Sequence, residues 1–381
     1  MAGAIHPQEA VVSAQSSTKP RRFGIPPATA DQQVQKFHSF QSNQKFEPLP
    51  EPTGAFPYHL ATSAIGIPPA NGQRVFHVIG DTGGVKDPNP QLHVAEAMAA
   101  DLQAGGEGPG RPAFCFHVGD VVYFCGAERE YGPQFYEPYA HYNAPILAIP
   151  GNHDGEENSE EPGVPSLSAF VENFCASTPH LDPQAGESNR DTMTEPNVYW
   201  TLQDELLSVV GMYTNVPEGG QVQQDQVEWL VGELKSAPTD RALLVALHHP
   251  PYSADAHHGG SARMGQLLDE AFQKSGRAPE MVLSGHVHNY QRFTRTIGGK
   301  QVPYLVVGAG GYHNLHKMAP EAGGGALQLP FEAAADCELN SFCDDQWGFL
   351  RLTVTPGQIA GSYTAVDKTG VVTKELDKFA T

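Results

Sequence analysis

Five short apolar runs punctuate the chain, each bounded by Gly, Pro or Asp: Val75–Ile79, Phe114–Val118, Ile146–Ile149, Ala242–Leu247 and Met281–Ser284. Runs of this length, rich in β-branched and aromatic residues, read as buried strands of a sheet covered on both faces. Between them, apolar residues recur at helical spacing over Leu92–Leu102, Leu167–Phe174, Val222–Leu234 and Ala262–Phe272. The last third changes character. Val302–Gly311, Trp347–Val354 and Ile359–Val366 follow one another without helical segments and read as antiparallel strands, so a mixed sheet is expected.

Two stretches, Gly155–Pro165 and Thr178–Asn197, lack either periodicity and are rich in Glu, Pro and Ser; loops of this length often serve as lids or surface elaborations. Residues 1–70 are rich in Pro, Gln, Ser and Ala and read as an extended, partly disordered arm that wraps the domain through Phe37, Phe40 and Phe46. The basic cluster Lys19–Arg22 within it reads as a solvated patch. Residues 71–381 are then expected to form a single folded domain. No internal repeat is visible.

Each of the five buried runs ends in polar residues. GDTGG follows Ile79, GDVVY follows Val118, GNHD begins at Gly151, HHPPY follows Leu247 and GHVH follows Ser284. In layered α/β proteins the ends of the strands are where ligands gather, because loops converge there above a rigid sheet. Asp81, Asp120, Asn152, His248, His286 and His288 are oxygen and imidazole donors, a set suited to Fe, Mn or Zn rather than to thiophilic metals. An isolated Gly-Asp at a strand end is usually a turn. The ordered set of five supplies enough ligands for two adjacent ions.

Charge narrows the partners. With 43 acidic against 23 basic residues the formal charge is −20, which argues against a nucleic-acid binder, since phosphate backbones require a basic face. An acidic protein acting on phosphate esters needs its positive charge concentrated locally, and bound cations provide that. The five cysteines, Cys115, Cys125, Cys175, Cys337 and Cys343, contain no Cys-x-x-Cys pair and read as thiols rather than a disulfide framework or a zinc knuckle. Cys337 and Cys343 are close enough in sequence to bridge a loop, although two free thiols is the plainer reading. No apolar run has the length of a signal peptide or a membrane span, so a cytoplasmic protein without membrane association is expected.

The motif set resembles the calcineurin-like metallophosphoesterases, and within them the purple acid phosphatases. That family's pattern, GDxG, GDxxY, GNH(D/E), VxxH and GHxH, appears here in the same order as GDTG, GDVVY, GNHD, VALH and GHVH. The likeness extends to HHPPY against the family's HSPWY and to GHVHNYQR against GHVHAYER, and covers roughly residues 75–366. It implies a four-layer αββα sandwich with mixed β-sheets.

It also implies residue roles. Asp81, Tyr123 and His288 would hold a first ion, Asn152, His248 and His286 a second, and Asp120 would bridge them. Tyr123 is the discriminating residue, because a phenol binds as phenolate only beside a strongly polarising centre, Fe(III) in this family, with a divalent Fe, Zn or Mn beside it. A metal-bound hydroxide would then attack phosphate monoesters in the acid range. His153 would stabilise charge or protonate the leaving group. His258, with His257 as second choice, lies where the family carries a second substrate-facing histidine. His249 replaces the family's serine, and Asp154 would orient the His153 loop. His77, His93 and His117 are assigned to packing or surface.

Two departures bear on substrate and compartment. Residues 1–70 do not alternate like the β-sandwich that precedes the catalytic domain in plant-type members, and a leader is expected in a family whose members are mostly secreted or lysosomal. A phosphodiesterase or nucleotide pyrophosphatase on the same scaffold is the competing enzyme reading, although such relatives usually lack the tyrosine. A catalytically inactive metal-binding scaffold is the third.

Overall fold

The computed structural model describes residues 44–321 and 324–381. Most of the expected arm, including Phe37, Phe40 and the Lys19–Arg22 cluster, therefore lies outside the described residues. Its described part is woven into the fold: His59–Ala61 forms β1, paired in parallel with β5 (Trp200–Gln203) at the edge of a large sheet.

Two sheets face each other. One has six strands in the order β15-β14-β13-β2-β3-β4, built from β2 (Arg74–Ile79), β3 (Pro112–His117), β4 (Ile146–Ala148), β13 (Trp347–Thr355), β14 (Gln358–Val366) and β15 (Val372–Ala380). The other has nine in the order β1-β5-β6-β7-β8-β10-β9-β12-β11. Its remaining strands are β6 (Leu207–Gly211), β7 (Ala242–Ala246), β8 (Met281–Ser284), β9 (Tyr290–Ile297), β10 (Lys300–Val307), β11 (Phe331–Ala334) and β12 (Cys337–Cys343).

Side-chain alternation decides the layering. Leu244 and Ala246 of β7 pack in the core between the sheets with Phe76, Val78, Phe114 and Phe116, whereas Leu243 and Val245 face the opposite way. There they meet Leu230 and Leu234 of one helix (Gln224–Ser236) and Met264 and Leu268 of another (Ala262–Ser275). On the outer face of the six-stranded sheet, Ile79, Cys115 and Ile146 pack against Val94, Met98 and Leu102 of α1 (Asn89–Ala104). A strand buried on both faces needs no polar face, which is why these runs are continuously apolar. The result is the expected αββα sandwich.

The four helices expected from periodicity are present, and their limits follow local chemistry. α1 begins at Asn89–Pro90, where proline tolerates the first turn. After the short α2 (Asn152–Gly155), α3 (Ser168–Phe174) and α4 (Gln224–Ser236), α5 (Ala262–Ser275) starts at Ser261, whose hydroxyl accepts from the Met264 amide. It ends at Gly276, whose φ of 72° suits the left-handed cap.

One strand expectation is corrected. The Val302–Gly311 run becomes β10, antiparallel to β9 as expected but parallel to its other neighbour, β8, beside which it lies in the middle of the sheet. Cys337 and Cys343 sit at opposite ends of β12, and all five cysteines are free and buried. The insertion spanning Thr178–Asn197 is tied down by Arg190, which donates to the carbonyls of Tyr139 at 3.1 Å and Ala144 at 2.9 Å.

Candidate metal centre

The parallel strands β2, β3 and β4 of one sheet and β7 and β8 of the other end at a common edge, and the five polar stretches meet there. Backbone bonds lock the loops together: Asp81 N–H donates to Gly119 C=O, Thr82 N–H to Asp120 C=O and Gly285 N–H to His248 C=O, all at 3.0–3.1 Å. The Asp154 carboxylate accepts from the amides of Gly151 at 2.8 Å, Val121 at 3.1 Å and Val122 at 3.2 Å. It thus fastens the Asp120–Tyr123 loop to the Asn152–His153 loop, beyond the His153 role expected of it.

The backbone is strained where the donors lie. Asp81 (φ 56°), Asp120 (φ 57°) and His286 (φ 67°) all adopt left-handed conformations that cost non-glycine residues free energy and cluster at functional sites. The space is equally constrained. A Cβ on Gly151 would collide with Asp120 Oδ1, and one on Gly285 would come 2.5 Å from Asp81 Oδ2.

Two groups of donors result. Tyr123 Oη lies 3.4 Å from both Asp81 Oδ1 and His288 Nε2, and the latter two are 3.5 Å apart. Asn152 Oδ1 lies 3.1 Å from His248 Nε2 and 2.9 Å from His286 Nδ1. Between them sits Asp120, with Oδ2 3.3 Å from His248 Nε2 and Oδ1 accepting from the His153 amide at 2.9 Å. Asp81, Asp120 and His248 offer ligand atoms all within 4.8 Å of one another. All seven residues are buried.

The histidines test whether cations fit. His248 Nδ1 donates to the Val118 carbonyl at 2.9 Å, and His288 Nδ1 to the Asn314 carbonyl at 3.1 Å. A neutral imidazole has one N–H, so each Nε2 is left as a lone pair. Both lone pairs point at oxygen acceptors: Asp120 and Asn152 for His248, Tyr123 and Asp81 for His288. A lone pair facing oxygen donors fits with a cation between them, and fixing the outer nitrogen by an acceptor is how ligand histidines are oriented.

The charges agree with that fit. Burial pushes the Asp81 carboxyl up to about 7 against the pull of His248, and the neighbouring Asp120 charge adds to the rise. Burial would lower His248, yet the Asp120 carboxylate, aided by Asp81 and the Val118 carbonyl, raises it to about 9, so positive charge is favoured at this place. Burial and the charges of Asp120 and Asp81 hold the Tyr123 phenol well above its ordinary value. Those charges are the ones a cation neutralises, and a cation inverts the local balance in favour of phenolate.

Further histidines line the same edge. His153 donates from Nδ1 to the Phe124 carbonyl at 2.9 Å, which leaves Nε2 toward the centre, 4.0 Å from Asp120 Oδ2. Its ring lies 4.4 Å from that of Tyr123. His258 is buried with its ring 4.6 Å from His286, whereas the half-buried His257 packs against His316 with ring centroids 4.6 Å apart. Asp255 accepts from the amides of both, at 2.9 and 2.7 Å. His249 binds Thr214 Oγ1 through Nδ1 at 2.7 Å and packs 4.3 Å from His286. His77 and His117 are buried packing residues and His93 is half-buried.

Sequence reasoning did not single out Glu218, Tyr312 or His316. Tyr312 packs with its ring 4.4 Å from that of Tyr123 and tilted to it, and the His316 ring lies 4.5 Å from that of His288. Glu218 Oε1 lies 3.1 Å from His258 Nδ1 and 3.2 Å from His286 Nε2. It follows β6, a strand not read from the sequence, whose C-terminal end reaches the same edge as β7. The signal was the apolar run Leu207–Gly211, with a carboxylate shortly after it.

Comparison with known proteins agrees with this architecture. Purple acid phosphatase 15 of Arabidopsis thaliana is 28% identical over 220 residues, covering 54% of this chain and 36% of that protein. Purple acid phosphatase 23 of the same plant is 26% identical over 292 residues, covering 72% and 56%. The chain thus matches less than two thirds of the length of these relatives. Among solved structures, the purple acid phosphatase PPD1 from yellow lupin (Lupinus luteus) seeds superposes with a TM-score of 0.57 at 17% identity, over 82% of this chain and 54% of that one. GAP50, described as the anchor in the inner membrane complex of Plasmodium, superposes with a TM-score of 0.52 at 14% identity, over 81% and 88%. These structural likenesses establish the fold. The calcineurin-like phosphoesterase family model matches residues 75–290, more than half of the chain and all five strand-end motifs, and the chain belongs to that family.

Proposed function

We propose that this protein is a two-cation phosphoesterase that hydrolyses phosphate monoesters in the manner of purple acid phosphatases. The observation that carries the reading is the orientation of His248 and His288. Each spends one nitrogen on a backbone carbonyl and turns the other toward oxygen donors in a separate cluster. In this reading Asp81, Tyr123 and His288 hold Fe(III), Asn152, His248 and His286 hold a divalent Fe, Zn or Mn, and Asp120 is shared. Tyr123 favours Fe(III), since a buried phenol among carboxylates ionises only beside a strongly polarising ion.

When bound, two such cations neutralise phosphoryl charge and make a nucleophile available at low pH. The rest falls to the chain. His153, fixed by the Phe124 carbonyl and the ring of Tyr123, presents Nε2 to the substrate's bridging oxygen and carries the proton the leaving group takes. His258, held by Glu218 and by the hydrogen bond its backbone N–H donates to the Asp255 carboxylate, presents Nε2 to a phosphoryl oxygen. With a formal charge of −20, the protein depends on these groups to attract an anionic small-molecule substrate.

Metal analysis of the purified protein, combined with pH profiles on an aryl phosphate monoester and the matching diester, tests the assignment. Iron plus a second metal with preferred monoester turnover below neutral pH supports it. A colourless active enzyme holding only Mn or Zn would refute Fe(III) at Tyr123 while leaving the phosphoesterase reading standing. Preference for the diester would overturn the monoester assignment.

A further inference from the structure

His286 differs from the other two candidate ligand histidines in what fixes its outer nitrogen. His248 and His288 lean on backbone carbonyls, but His286 Nε2 faces a carboxylate, Glu218 Oε1, at 3.2 Å. The same oxygen lies 3.1 Å from His258 Nδ1. One carboxylate oxygen therefore joins a candidate ligand of the second cation to a candidate substrate-facing histidine.

The loop bearing Glu218 is clamped from several sides. Glu218 N–H donates to Gln44 Oε1 at 2.7 Å, the Ser261 hydroxyl to the Gly219 carbonyl, and Arg263 Nη1 to the Gly220 carbonyl at 2.7 Å. Gly219 and Gly220 adopt φ of 74° and 75°, a tight left-handed pair, and the loop closes on itself through Gln221 N–H to Thr214 C=O at 2.8 Å. Ser261 also caps α5, so the loop is pinned to the start of a helix. Such anchoring holds a carboxylate in place with little ordering cost left to meet on binding.

We propose that Glu218 is a positioning residue that sets His286 and His258 together, strengthening His286 as a ligand of the second cation and aiming His258 at the substrate phosphate. An anionic acceptor on the outer nitrogen fixes the tautomer with Nδ1 as lone pair, the atom that meets Asn152 Oδ1 at 2.9 Å, and makes it a better donor to a cation. Glu218, His258 and His286 also place ligand atoms within 4.8 Å of one another. Because His286 Nδ1 already points into the cluster with Asn152, the positioning role accounts for both of its nitrogens, whereas ligation by Glu218 accounts for one. This inference rests on the two-cation reading above.

The test is calorimetric titration of the metal-depleted protein with Fe and then Zn²⁺ or Mn²⁺, for wild type, Glu218→Gln and Glu218→Ala, with steady-state kinetics on an aryl phosphate at saturating cation. Glu218→Gln keeps the shape and an acceptor oxygen but removes the charge. It is expected to weaken the second cation by about 10–100-fold while leaving the first unchanged. At saturating cation, Glu218→Ala is expected to raise KM about tenfold with kcat changed only a few-fold, and Glu218→Gln to recover part of that loss. Wild type with two cations bound and Glu218→Gln indistinguishable from it would overturn the proposal alone. Loss of a third bound equivalent in Glu218→Gln would overturn it in favour of direct ligation. Wild type that binds no cation would sink the phosphoesterase reading and this inference with it.

Discussion

The backbone N–H of His286 donates to Asp81 Oδ2 at 2.8 Å across 205 positions of sequence, joining the end of β8 in the nine-stranded sheet to the end of β2 in the six-stranded one. His248 makes the second such link, through its ring to the Val118 carbonyl. The candidate centre is therefore the joint between the two sheets, and its geometry is inherited from both.

Asp81 serves this joint and the first donor cluster with different oxygens, so its replacement has two effects. Asp81→Asn is expected to lose the first cation. It also lowers stability by about 1–3 kcal/mol, because the His286 amide and the cluster around it lose a charged acceptor. Metal analysis and denaturant melts of the same sample measure the two effects.

Asp120 lies between the clusters, and Asp120→Asn is expected to release both metals and abolish turnover. Metal content per chain and aryl phosphate hydrolysis check this together. Normal hydrolysis by the variant would contradict a shared carboxylate.

His153 touches neither cluster as a proposed ligand. His153→Ala is expected to keep the full metal content and lose about 10²–10⁴-fold in kcat, the usual scale for a proton-transferring group. Loss of metal in this variant would move His153 among the ligands.

Tyr123→Phe removes one oxygen from a buried cluster without disturbing ring packing against Tyr312 and His153. The wild-type protein is expected to be pink to purple through phenolate-to-iron charge transfer, and the variant to lose that visible band. An unchanged absorption spectrum in Tyr123→Phe would place the colour elsewhere.

The buried His117 sets an acid limit on the fold. Gly119 N–H donates to its Nδ1 at 3.2 Å and its Nε2 meets Thr82 Oγ1 at 3.0 Å, an arrangement for the neutral ring, and burial lowers it to about 3. The unfolded chain protonates this group first, near 6.5, so stability is fully present above that pH and declines toward 3. Each unit of acidification in that window removes up to about 1.4 kcal/mol. Equilibrium melts from pH 7 to 4 on wild type and His117→Gln check this, with a flatter profile expected in the variant.

Why so much of the centre was legible in the sequence follows from how it is built. Asp81, Asp120, Asn152, His248 and His286 each lie within three residues of the end of a buried apolar run, so strand and ligand lie together in the sequence. Glu218 is not legible in the sequence, because its strand, Leu207–Gly211, ends in no polar motif and the Pro-Glu-Gly-Gly turn resembles any surface loop. Its partners His258 and His286 are 40 and 68 positions away. Strands such as β9 and β12 are set by pairing at the sheet's far side, where Arg292, Thr294 and Arg295 surround Phe293 without a regular period of two, a pattern that local propensity does not separate from loop. The direction of β10 was likewise decided by its neighbour β8 rather than by its own residues.

The two-cation claim is tested most directly by restoring metal to metal-depleted protein, Fe first and then a divalent ion, while following hydrolysis of an aryl phosphate monoester against equivalents added. Activity that stays near zero through the first equivalent and reaches its plateau at two per chain is the predicted result. Full activity without added metal, or a plateau at one equivalent, would contradict it.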